Sequence, residues 1–102
     1  MTQYEISASV TSPPTNISLK IDGKLIEMAR DSEGAWTGKA QMELTSPAPV
    51  EFRAVGIATA PWTLEIKFAP KTPTEAETTD YKHEDKIPPE MLSIFAAHVP
   101  LK

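Results

Sequence analysis

The clearest pattern in the chain is an alternation of apolar and polar residues that recurs in several segments and ends near Phe68. The alternating apolar sets are Tyr4, Ile6, Ala8 and Val10; Trp36, Gly38, Ala40, Met42 and Leu44; and Trp62, Leu64, Ile66 and Phe68. Successive side chains of a β-strand point to opposite faces of a sheet, so each segment would bury one face and expose the other. The pattern therefore predicts a two-layered β architecture.

Turn residues between these segments predict where the strands begin and end. We expect strands over about 3–11, 16–21, 24–30, 35–45 and 62–68, and one that begins at Val50. Asp22-Gly23 predicts a hairpin, because a type I′ turn needs two residues with positive φ. With those two residues as the loop, Leu19 lies opposite Ile26. The sequence thus predicts an all-β protein, a six-to-seven-stranded immunoglobulin-like β-sandwich, with a flattened six-stranded barrel as the main alternative.

The chain changes character near Pro70, and this change predicts three parts. Residues 1–70 form the β-sandwich domain, 71–86 a polar acidic linker, and 87–102 a short amphipathic helix and tail. The linker segment reads KTPTEAETTDYKHEDK and holds no aliphatic residue larger than alanine. Such a segment cannot bury enough apolar surface to offset the entropy lost on ordering, so we expect it to be extended or disordered.

Several residues after Ile87 are typical of a short helix. Proline suits its first turn, Glu90 the positive N-terminal end, and Pro100 would end it. Helical spacing would then place four residues on one face: Met91, Ile94, Phe95 and His98.

Composition excludes several classes of function. The chain has 102 residues with a formal net charge of −4 and no run of basic residues, which argues against nucleic acid as a partner. It contains no cysteine, so disulfides, thiolate metal sites and thiol nucleophiles are excluded. No signal peptide or membrane-spanning segment is evident, so we expect no membrane partner and, by default, a cytoplasmic location.

Candidate catalytic chemistry is sparse. The chain has no Gly-x-Ser-x-Gly, no glycine-rich phosphate loop and no His-Glu-x-x-His motif, so we expect neither an enzyme nor a cofactor. His83 lies among Asp80, Glu84 and Asp85, side chains that can ligate metals, but we interpret the segment as a solvated charged stretch and predict no metal site. The turn at residues 31–34 is too short for a calcium loop.

One stretch resembles a known group of domains. The run from Ile17 to Phe52, with Arg30-Asp31-Ser32-Glu33-Gly34-Ala35-Trp36 at its centre, resembles early-set immunoglobulin-like domains. Glycogen-binding modules of that group often carry Asp-x-x-Gly-x-Trp at a similar place. They bind sugar through an exposed tryptophan pair, whereas Trp36 and Trp62 lie on the inner parity of their strands. The resemblance therefore assigns no family.

These observations favour a non-catalytic interaction module that self-associates or docks a protein partner through its C-terminal helix. The short helix would be marginal alone, so Met91, Ile94, Phe95 and His98 would have to pack against something. The alternative is a carbohydrate-binding accessory module that uses an aromatic residue near the bend at Trp62, with Tyr81 as a second ligand-binding candidate. A third possibility is an inhibitor that plugs a partner's active site with a loop.

Overall fold

A computed structural model describes residues 2–11, 16–32, 34–56, 60–71, 78–87, 89 and 92–101. The described residues form nine strands in two antiparallel sheets. In chain order the strands are β1 (Thr2–Thr11), β2 (Asn16–Ile21), β3 (Lys24–Ile26), β4 (Ala29–Arg30), β5 (Trp36–Leu44), β6 (Ala48–Val55), β7 (Pro61–Pro70), β8 (Thr79–Lys86) and β9 (Leu92–Val99). One sheet has the order β4-β5-β1-β7-β8, and the other has the order β3-β2-β6-β9.

The core lies between the two sheets and is built from the alternating residues. Each inner face contributes every second side chain, so the apolar parity of β1 is buried in full, from Tyr4 to Val10. The largest fully buried side chains are Trp62, Phe52 and Phe68. The predicted two-layered all-β architecture is therefore confirmed, and the described strands form two separate sheets rather than one closed barrel.

The predicted hairpin at Asp22-Gly23 is confirmed. Both residues have positive φ, 52° and 75°, and Leu19 pairs with Ile26 across the turn. The single strand predicted over 24–30 is wrong, because β3 ends at Ile26 and β4 pairs with β5 in the other sheet. Between β3 and β4 the backbone runs so close over Gly38 that a Cβ there would meet the carbonyl of Glu27 and the sulfur of Met28.

The linker predicted over 71–86 is wrong where the structure describes it. Residues 79–86 form β8, which pairs with β7. The register begins with Thr79 opposite Phe68 and ends with Lys86 opposite Pro61. The segment is polar, but its polar residues alternate with Thr79, Tyr81 and His83, which are buried or half-buried. A strand that covers the edge of a sheet needs only this one apolar face. Residues 72–77 lie outside the described residues.

The helix predicted after Ile87 is also wrong. Leu92–Val99 form β9, which pairs with β6 along its whole length. Leu92 lies opposite Val55 at one end, and Val99 lies opposite Ala48 at the other. Both faces of the strand carry apolar residues, so the segment shows no two-residue alternation and its apolar residues also fit helical spacing. Ladder hydrogen bonds to β6 and burial of Val99 then decide in favour of the strand. Residues 88, 90 and 91 lie outside the described residues.

Candidate functional site

The strand β9 is a sheet edge without the usual protection. It is the last strand of the β3-β2-β6-β9 sheet, and among the described strands it pairs only with β6. Its eight residues, LSIFAAHV, include no Asp, Glu, Lys, Arg or Pro. Proteins usually shorten an exposed edge or place charges and prolines on it, because its free N–H and C=O groups can pair with another chain. The β9 edge uses neither device.

Exposed apolar residues lie on the outer face beside this edge, next to the exposed Arg53 and Glu51 of β6. Leu92 is 42% exposed and Ile94 is 66% exposed, and Leu92 lies opposite Val55, which is 45% exposed. We call Val55, Leu92 and Ile94 the β9 patch. The only other large exposed apolar residue among those described is Leu25, on β3 at the opposite edge of the sheet. Contiguous exposed apolar residues are typical of interaction surfaces, whereas single ones are ordinary.

The inner side of β9 is held by a row of aromatic rings that crosses from one sheet to the other. Phe95 stacks on His83 of β8, with ring centroids 3.8 Å apart and planes inclined by 17°. His83 is 5.6 Å from Trp62, and Trp62 is 4.9 Å from Phe52. Tyr81 stacks on the Phe95 ring at 6.4 Å. This ring row closes one lateral side of the sandwich and fixes β9 against β8.

Polar groups near the ring row are few and weakly paired. The Nε1 atom of Trp62 and the Nε2 atom of His83 are buried and have no hydrogen-bond partner among the described residues. The carboxylate of Asp85 is 3.6 Å from His83 Nε2, which is too long for a hydrogen bond. Lys82 and Glu84 form an exposed ion pair at 3.3 Å, which contributes little to stability. Burial raises the pKa of Tyr81 above its ordinary value of 10.0.

The four residues predicted to share a binding face do not share one. Ile94 and His98 lie on the exposed outer face of β9, and Phe95 points inward to His83. Met91 lies outside the described residues. The residues that complete the apolar surface, Leu92 and Val55, were not predicted. They become neighbours only through the pairing of β6 with β9, which the periodicity of one segment cannot show.

The two residues predicted for ligand binding lie in other surroundings. Trp62 is 1% exposed and packs on Phe52, so it presents no ring face to a sugar. Tyr81 is half-buried beside Phe95. A shallow depression of about 490 Å³ lies over Pro61 and Trp62, with charged β8 residues on its other side. A larger one, about 900 Å³, lies on the β5-β1-β7-β8 surface. Neither depression offers an exposed aromatic platform.

His83 has a structural position that the sequence did not indicate. The sequence groups it with Asp80, Glu84 and Asp85, whereas alternation along β8 separates it from Asp80 and Glu84 and turns its ring toward the ring row. Asp85 shares its parity, with the carboxylate 3.6 Å from His83 Nε2. In the described part of the chain no three His, Cys, Asp or Glu side chains are grouped closely enough to hold a metal ion.

Comparisons with known proteins identify no relative. The chain matches no protein-family model, no curated protein and no solved structure. Among the residues that the structure describes, no helix is long and apolar enough to span a membrane.

Proposed function

We propose that this protein is a non-catalytic interaction module, built on an immunoglobulin-like β-sandwich, that binds a protein partner by adding a strand to β9. The observation that carries this proposal is the β9 edge itself, which is eight residues long, uncharged and flanked by the exposed β9 patch. Edge-strand addition is a common mode of protein recognition, in which main-chain hydrogen bonds supply affinity and alternate side chains supply specificity.

The β9 patch can add apolar burial to those hydrogen bonds. A fully exposed leucine or isoleucine contributes about 1.5–3 kcal/mol when it is buried. Leu92 and Ile94 are 42% and 66% exposed, so Leu92 would contribute roughly 0.6–1.3 kcal/mol on binding and Ile94 roughly 1–2 kcal/mol. This gain is enough to select this edge over the others, and it depends on two side chains that can be changed without touching the core.

A rigid edge also lowers the entropic cost of binding. The stack of Phe95 on His83 fixes β9 from below, and pairing with β6 fixes it from the side. A binding strand whose backbone is already ordered loses less conformational entropy when the partner arrives. The ring row therefore prepares β9 for binding, although it does not itself face the partner.

Point substitutions test this proposal better than removal of the C-terminal segment. Residues beyond Pro70 supply two strands and the buried side chains of Ile87 and Val99, so a truncated chain would lose part of its core. Ile94→Lys places a charge in the β9 patch. Leu25→Lys is the matched control, because Leu25 is similarly exposed (61%) at the opposite edge.

The experiment compares proteins retained from an extract of the source cells by the native chain and by each variant, together with amide hydrogen exchange of the bound chain. We expect the native chain and the Leu25→Lys variant to retain a partner, which can be another protein or a second copy of this chain. The Ile94→Lys variant should not retain it. The β9 amides should become protected when it binds. Binding that survives Ile94→Lys, or that protects another strand, would exclude β9 as the site.

A further inference from the structure

We propose that the partner of the β9 edge is a second copy of this chain, which pairs antiparallel with β9 about a two-fold axis at Phe95. This inference rests on the proposed function, because it names the strand that β9 receives. Two copies of the β3-β2-β6-β9 sheet would then join as one continuous eight-stranded sheet, with the two β9 strands at its centre.

The four sheet edges of the described fold differ in a way that favours self-pairing at β9. The edge strands β3 and β4 have only three and two residues, too few for a stable ladder. Strand β8 is long but carries charges on most of its residues, TDYKHEDK. Strand β9 is long and carries no permanent charge, so two copies can lie side by side without bringing like charges together. An isologous pair needs such a self-complementary surface.

The position of the axis follows from the ring row. Antiparallel pairing of two identical strands generates a two-fold axis perpendicular to the sheet. The ring of His83 lies 3.8 Å from that of Phe95 and nearly parallel to it, across the two sheets. An axis that passes beside Phe95 therefore also passes beside His83. The same rotation then brings β8 of one copy alongside β8 of the other.

The charges of β8 fit this axis. Its outward residues alternate in sign: Asp80, Lys82, Glu84 and Lys86. Rotation about His83 sets Lys82 opposite Glu84 of the second copy, and Asp80 opposite Lys86 of the second copy. Centring the rotation on Glu84 would oppose Lys82 to Lys86, and centring it on Lys82 would oppose Asp80 to Glu84. Among these three centres, only the one at His83 pairs opposite charges throughout.

The same centre suits the outer face of β9. Rotation about Phe95 places Ile94 opposite Ala96 of the second copy and Leu92 opposite its His98. The large exposed side chains therefore face smaller or polar ones, and Ile94 is not forced against its own copy. Both sheets thus point to one axis, through an uncharged strand in one sheet and a charge-complementary strand in the other.

Charge reversal tests the axis directly. In a symmetric dimer Lys82→Glu would set a carboxylate opposite Glu84 at both copies of this contact, and Glu84→Lys would oppose two ammonium groups in the same way. Each variant alone should bind itself about tenfold more weakly than the native chain, equal to about 1.4 kcal/mol. An equal mixture of the two variants should show tighter binding than either variant alone, because the mixed dimer contains one contact between the two introduced charges, which are opposite in sign. Lys39 is exposed on β5, so Lys39→Glu is the control for net charge and should not change the affinity of the chain for itself.

Sedimentation equilibrium of the full chain measures these affinities, and a cross-link checks the register. Because the chain has no cysteine, Ile94→Cys and Ala96→Cys each introduce a single thiol. Residues directly opposite in an antiparallel pair have Cα atoms about 4.5–5.5 Å apart, within reach of a disulfide. We expect the mixture of these two variants to form a disulfide faster than either variant alone.

The outcomes separate this inference from the proposed function. A native chain that stays monomeric at every attainable concentration overturns self-pairing. The comparison of Ile94→Lys with Leu25→Lys would still decide whether β9 binds a different protein. A dimer that Ile94→Lys disrupts, but whose charge-reversed variants fail to complement each other in the mixture, keeps the β9 surface and overturns the axis at Phe95 and His83.

Discussion

Removing the Phe95 ring should destabilise the fold, although Phe95 lies on an edge strand. Truncation of a fully buried phenylalanine to alanine costs about 3–5 kcal/mol. Phe95 is only half-buried, so about half of that cost applies. Loss of the stack on His83, with centroids 3.8 Å apart, adds about 0.5–1.5 kcal/mol. We expect Phe95→Ala to lower the free energy of unfolding by about 2–4 kcal/mol.

Urea denaturation followed by circular dichroism measures this loss. With a slope of about 2 kcal/mol per molar urea, typical of a small protein, the midpoint should fall by about 1–2 M. Protein concentration must be kept low and varied, because association would add to the apparent stability.

The matched control is Ile94→Ala, the neighbouring residue on the outer face of β9. Ile94 is 66% exposed, so its truncation should change the stability of the monomer by less than about 0.5 kcal/mol. If Phe95→Ala proves as neutral as Ile94→Ala, the ring row does not fix β9 and the argument for a prepared edge fails. Equal losses from both variants would instead show that β9 is stabilised from its outer face.

Two further predictions concern the surroundings of the ring row. Burial raises the pKa of Tyr81, so the unfolded chain releases the phenolic proton at a lower pH than the folded chain does. Stability should therefore fall as pH rises from about 10 through the folded pKa, and Tyr81→Phe should show a smaller fall in urea titrations across this range. Because Trp62 is 1% exposed, its fluorescence in a Trp36→Phe variant should resist quenching by iodide and should not respond to added glycans. Ready quenching or a glycan response would contradict its burial and revive the carbohydrate-binding alternative.

The first seven strands show how far local patterns determine this fold. Alternation identified the buried parity of β1 and β7, and the ease with which Asp22-Gly23 adopts positive φ set the β2–β3 register. The break after Ile26 was not predictable in the same way. It depends on Gly38, far along the chain, whose missing side chain lets the backbone between β3 and β4 pass over β5.

The last two strands show where composition misled. In β8 the alternation of Thr79, Tyr81 and His83 with charged residues was present, but a low apolar content weighed against a strand. In β9 both faces are apolar, so a period of two residues left no mark, and Ile94 and Phe95 also fitted a helix. A single sequence cannot show that β6 and β7 leave edges for these strands to cover. The predicted shared face was therefore wrong: Ile94 and His98 lie on one face of β9, and Phe95 lies on the other.

The central position of β1 has a consequence for how the protein is made. This strand lies between β5 and β7, so its ladder partners are synthesised roughly thirty to sixty residues later. Contacts of such long range close slowly, because loop entropy must be lost before they form. During translation β1 therefore lacks its second ladder partner until β7 leaves the ribosome. Shielding of this first strand by chaperones would then matter more to the yield of native protein than the speed of any local turn.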